Sequence, residues 1–202
     1  MNNKIKRFSL LTMFVTIEVL FAVVPFLGYI PLPVINITTL HMPVIIAAML
    51  LGPKEGGIVG FVFGLTSLIK NTMTPNLTSF LFSPFYSVGG TSGNFMSVLI
   101  AIVPRVLIGV VAGYVYQLLK KKVNVNISMV ISSVLGAFVN TFLVMSSAYI
   151  FFGQEYAAAR GVEYSALLGV ILTVVFTNGL AESIAAGIIC PIVTKVGERL
   201  TK

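Results

Sequence analysis

The segment GVILTVVFTNGLAESIAAGIICPIV, residues 169–193, carries one charged side chain, Glu182, in a run of apolar and small residues. A helix of that length spans the roughly 30 Å hydrocarbon core of a bilayer. A charge near its middle costs roughly 2.5 to 3.5 kcal/mol on insertion scales, so it persists where it is paired, hydrated or used. The rest of the chain repeats the pattern: 57% of residues are hydrophobic, 9% are charged and the mean hydropathy is +1.01. An ordinary soluble domain carries about a quarter charged residues. The chain therefore reads as an integral membrane protein. At about 20 apolar residues per span, its 202 residues hold about six helices and little else. Residues 1–202 read as a single membrane domain, an all-α bundle of six transmembrane helices.

Apolar runs place these helices near residues 8–30, 41–53, 55–70, 94–119, 127–152 and 165–194. The first has a basic start, but the run continues past Phe26 without a cleavage-site pattern, so it reads as a span rather than a leader. Ten of the thirteen basic residues sort to alternate breaks: Lys4, Lys6 and Arg7; Lys54; Lys120, Lys121 and Lys122; Lys195, Arg199 and Lys202. By the positive-inside rule those breaks are cytoplasmic and both termini lie inside. This sorting, with attraction to anionic membrane lipid, accounts for the formal charge of +7 and gives no reason to invoke nucleic acid. On the other side, residues 71–94 form a connection longer than a plain link needs, a length common in lids and binding loops.

Measured from the cytoplasmic markers at about 1.5 Å per helical residue, several polar residues share one depth. Glu182 lies about 20 Å in, His41 about 20 Å, Arg105 about 22 Å, Asn140 about 21 Å, and Lys70 and Asn71 about 24 to 25 Å. Asn178 and Glu182, spaced i, i+4, are expected on one helix face. Glu182 is open to two readings: a structural ion pair with Arg105, or a contact to a ligand. Glu18 is a second possible partner for Arg105. His41 is the chain's one histidine, read either as a helix-start residue bonded to a loop carbonyl or as a donor to a ligand. With no second histidine, one cysteine (Cys190) and no aspartate, no metal site is expected and Cys190 reads as a small buried apolar residue. Gly56, Gly60 and Gly64, like Gly109 and Gly113, recur every four residues. That spacing marks close helix packing, either inside the bundle or on a partner membrane protein.

The chain has no G-x-x-x-x-G-K-[ST] nucleotide loop and no G-x-S-x-G or H-E-x-x-H motif. ATP hydrolysis, if coupled, belongs to another subunit, and a hydrolytic enzyme is not supported.

Taken together, ITTLHMPVIIAAMLLGPKEGGIVGFVFGLTSLIKN (residues 37–71), TSFLFSPF (residues 78–85) and VPRVLIGVVAGYVY (residues 103–116) resemble the substrate-binding S components of energy-coupling factor (ECF) vitamin transporters. The pantothenate-specific members are the most similar. The resemblance implies a cell-membrane, multi-pass receptor that captures a vitamin from outside without catalysis and holds no cofactor of its own. It implies a transmembrane coupling protein, the T component, and two cytoplasmic ATPases that use ATP. Hydroxymethylpyrimidine, riboflavin or folate as substrate, and a structural membrane subunit, stay open as alternatives. The family's Ala-x-x-x-Ala contact motif of the first helix is replaced by Thr12-x-x-x-Thr16, which leaves the Gly56, Gly60 and Gly64 stripe as an alternative docking surface. For a pantothenate-like anion with an amide and two hydroxyls, Arg105 or Lys70 is expected to meet the carboxylate. Thr39, His41, Asn71, Ser79, Asn140 and Asn178 are expected to meet the amide and hydroxyls, with Glu182 as a further hydroxyl acceptor. Phe80, Phe82 and Tyr86 would supply apolar cover.

Overall fold

The computed structural model describes residues 3–31, 36–88 and 91–201. Helix α1 (Asn3–Val23) stops where Pro25 disfavours helical backbone at Val24. A short turn, α2 (Pro25–Gly28), leads into β1 (Tyr29–Pro31), which pairs antiparallel with β2 (Asn36–Thr38). The first helix is thus shorter at its far end than the apolar run to residue 30 suggested.

Helix α3 (His41–Leu51) is apolar nearly all round, and ten of its eleven residues are buried. A helix of that kind belongs inside a bundle, and α3 is the central post, packed by α1 and by the helices over Pro53–Met73, Phe95–Leu119, Val125–Arg160 and Leu180–Thr201. It ends at Gly52, whose φ of 118° suits glycine and not a residue with a Cβ. Pro53 then opens α4 (Pro53–Met73), its missing N–H harmless in the first turn.

After α4 come a single 3-10 turn (Ser79–Leu81) and the short pair β3 (Ser87–Val88) and β4 (Thr91–Ser92). Asn94 caps α5 (Phe95–Leu119): its Oδ1 accepts the Met96 N–H at 2.8 Å, and Ser97 Oγ accepts the Asn94 N–H at 3.0 Å. Asn124 likewise caps α6 (Val125–Arg160), which kinks at Phe152, where the apolar segment was expected to end, and closes on Gly161. The last rod is α7 (Tyr164–Val174), a π-turn over Val175–Gly179, and α8 (Leu180–Thr201). Counting that rod once, and with α2 a mere turn, the bundle has six main helices among the described residues. Three of them, over Phe95–Leu119, Val125–Arg160 and Tyr164–Arg199, are long and apolar enough to cross a membrane.

The glycine stripe is used inside the molecule, which corrects its reading as a docking surface. A methyl on Gly56 would overlap Ala48 of α3, one on Gly60 would overlap the Arg105 carbonyl, and one on Gly64 would meet Ala101 and Ile102 of α5. Gly109 presses on Gly56, and Gly113 on Pro53, from the other side. All three stripe residues are buried, so none can face a partner. At one end of the bundle, Arg7 donates to the Leu51 carbonyl at 2.7 Å and pairs with Glu55 at 2.5 Å, while Tyr116 donates to Glu198 at 2.9 Å. These contacts tie α1 to the α3–α4 turn, and α5 to α8, at the end that carries the basic markers.

Candidate functional site

Pro104 and Arg105 show how adjacent residues build one part of the site. Pro104 has no N–H, so the Ile100 carbonyl loses its helical donor. Nη1 of Arg105 supplies a replacement at 2.8 Å. That bond folds the guanidinium back along α5, 5.4 Å from the Phe63 ring centroid and 4.9 Å from that of Phe82, within cation–π range of both.

Phe82 arrives from the connection after α4, which is stitched down tightly. Ser79 Oγ donates to Asn71 Oδ1 at 2.8 Å, Asn71 Nδ2 to the Ser67 carbonyl at 2.8 Å, and Ser97 Oγ to the Phe80 carbonyl at 2.6 Å. The hydroxyls of Thr72 and Ser83 share a bond of 2.7 Å, and Phe80 meets Phe152 edge-on at 5.7 Å. The polar groups of Ser79 and Asn71 are therefore engaged by the protein. Lys70 stands beside them, lining a cavity of about 230 Å³ with Asn71, Thr74 and Asn76.

Glu182 anchors a second cluster. Its Oε1 accepts the backbone N–H of Thr38 at 2.9 Å and its Oε2 the hydroxyl of Thr141 at 3.2 Å. It makes no ion pair with Arg105; the carboxylate is compensated by these two donors. Glu18 is also fully buried, and neither of its oxygens makes a hydrogen bond among the described residues, so it is not the arginine's partner either.

His41 opens α3 beside this clasp, fully buried and close enough for the Glu182 charge to act on the imidazole. Among the described residues neither ring nitrogen reaches hydrogen-bond geometry, although the backbone of Glu182 and of Thr38 borders the imidazole, and Oδ1 of buried Asn140 is likewise without a partner. His41 and Asn140 share a depth, because Ile45 packs on Gly136, one helical turn from each. Thr39 is spent locally, its hydroxyl donating to the Leu27 carbonyl. Asn178 departs from expectation. The π-turn takes in an extra residue and shifts the register, so Asn178 is half-exposed, with Thr177 donating to its Oδ1 at 3.3 Å, while Glu182 is buried.

Native proteins leave few buried polar atoms without partners, and each asks for an explanation. Unsatisfied groups on α3 and α6 at one level, beside a clasped carboxylate, fit an interior site completed by a polar ligand. The sequence reading did not pick out Thr38, Thr141 and Phe63. The pairing of Pro with Arg at 104–105 was a signal open to it, whereas nothing local to residues 38 or 141 pointed to position 182.

The chain matches the family described as ECF transporter, substrate-specific component, over residues 6–194. It belongs to that family. Two relatives are similar over most of their length. The pantothenic acid transporter PanT of Lactococcus lactis subsp. cremoris is 37% identical, covering 85% of this chain and 81% of the relative. The pantothenate transporter PanT of Leuconostoc mesenteroides subsp. mesenteroides is 30% identical, covering 93% and 89%. The S component is thus a membrane protein of transport, in a family of substrate-binding components rather than enzymes.

Proposed function

We propose that this S component captures pantothenate from outside the cell for ATP-driven uptake. The observation that carries the reading is its similarity to two pantothenate transporters along more than four-fifths of their length. The site chemistry is compatible. Arg105 meets the vitamin's carboxylate, for which a planar guanidinium is better matched than the point charge of Lys70, and Lys70 serves at the nearby cavity. His41 and Asn140 offer unsatisfied polar atoms to the amide and hydroxyls. Thr39, Asn71, Ser79 and Asn178 are further polar partners reached on binding, and Phe82 covers the arginine.

In this reading the six helices cross the membrane with both termini in the cytoplasm, supported by the sorting of basic residues. The chain itself holds no cofactor; a T component and two cytoplasmic ATPases supply the energy from ATP.

Isothermal titration of the detergent-purified protein suits a chain with no tryptophan. Pantothenate should give saturable one-to-one binding, and riboflavin, folate and hydroxymethylpyrimidine should give none. Binding of one of the latter instead would reassign the substrate within the transport class. Folded, ligand-free protein that binds none of the four would overturn the reading.

A further inference from the structure

The Glu182 carboxylate reaches across 144 residues of sequence to the Thr38 amide, and both of its oxygens already accept a hydrogen bond. Thr38 stands three residues before His41. The backbone between them is held from the other side as well, since the Thr39 N–H donates to the Gly28 carbonyl at 3.1 Å and the Met42 N–H to the Thr39 carbonyl at 2.9 Å. The imidazole is fully buried, neither nitrogen reaches hydrogen-bond geometry among the described residues, and the backbone of Glu182 and Thr38 borders it, so where this backbone sits decides where two polar atoms are offered.

We infer that Glu182 is a positioning residue for ligand capture: by clasping Thr38 and Thr141 it fixes the entry to α3 and presents His41 to the ligand, without itself being the contact. This rests on the reading of the chain as a pantothenate-binding S component. A carboxylate used this way acts through its acceptor oxygens. Glutamine keeps an acceptor for the Thr38 amide and can donate to the Thr141 hydroxyl, so it should substitute; alanine should not.

His41 is the single histidine of the chain, so protein labelled with 15N-histidine gives one imidazole to follow. The wild type and E182Q, without ligand, should each show one narrow set of ring resonances, and their pantothenate affinities should agree within about threefold. E182A should broaden or split the ring signals and weaken pantothenate binding at least about tenfold, the scale of one hydrogen bond to a charged group. Should E182A not fold, T141V removes one of the two clasped groups and must show broadening and a loss of affinity of a few-fold. Wild-type resonances and affinity in E182A, or in T141V where E182A is unusable, overturn the inference. So does an E182Q protein with wild-type ring signals and strongly reduced affinity, which would make Glu182 a direct ligand contact. If the wild type binds no pantothenate, the substrate reading fails by itself, while the ligand-free His41 spectra still decide whether the clasp positions the ring.

Discussion

Arg105 has two tasks in this protein, and they can be separated. It satisfies the carbonyl that Pro104 leaves without a donor, and it is proposed to meet the vitamin's carboxylate. Replacing it with glutamine removes both. Losing the ligand contact should weaken pantothenate binding roughly 30- to 150-fold, the worth of about 2 to 3 kcal/mol of charge-assisted hydrogen bonding. An orphaned buried carbonyl should cost about 1 to 3 kcal/mol of stability. Restoring a backbone N–H with the double variant P104A/R105Q should recover the thermal midpoint but not the affinity. Recovery of both in calorimetry and thermal unfolding would show that Arg105 is structural alone. The same residue shows how far the site could be read beforehand. Depth counting along the helices brought Glu182, His41 and Asn140 to one level, because a charge's distance from the basic end of its own helix is a local quantity. Which partner compensates Glu182 was not legible, since the answer is a backbone N–H and a threonine, and neither residue type advertises itself in sequence.

Between helices, the packing of α4 on α5 depends on glycine. Gly60 lies against the Arg105 carbonyl and Gly109 against Gly56, with no space for a methyl at either. Gly109→Ala should lower stability by about 1 to 3 kcal/mol, the usual cost of overpacking, and shift α5 enough to weaken ligand binding through Arg105. Gly169, where an added methyl would meet nothing within 4 Å, is the control: its alanine variant should stay within about 0.5 kcal/mol of the wild type. Equal thermal midpoints for the two variants would refute the packing argument. Spacing of glycines every four residues announced a close approach, but not whether the neighbour was this chain or another. Most helices were legible because hydrophobic runs and flanking Gly, Pro and Asn are local signals. The π-turn at Val175–Gly179 was not, since nothing in VFTNG distinguishes a π-turn from a continuing α-helix, and at Phe152 the end of the apolar run was visible but the continuation of the helix beyond it to Arg160 was not.

For the molecule as a whole, the remaining question is which end faces the cytoplasm. The bundle gathers Arg7, Glu55, Tyr116 and Glu198 at one end through direct contacts, next to Lys54 and the Lys120–Lys122 turn in sequence. In the proposed six-span arrangement both termini return to that end, and the positive-inside rule puts its basic residues in the cytoplasm. The native thiol is Cys190, fully buried, so introduced cysteines can be read against a quiet background. Lys121 lies in the exposed turn between α5 and α6, and Phe85 is 80% exposed in the connection after α4. Lys121→Cys should react with a membrane-impermeant maleimide in inside-out vesicles and not in intact cells; Phe85→Cys should do the reverse. Reaction of both from the same side would place the two turns together and break the six-span arrangement. A clean exchange of sides would keep the spans but invert the protein, carrying Arg105 and its aromatic cover to the cytoplasmic half, where a receptor for external pantothenate could not use them.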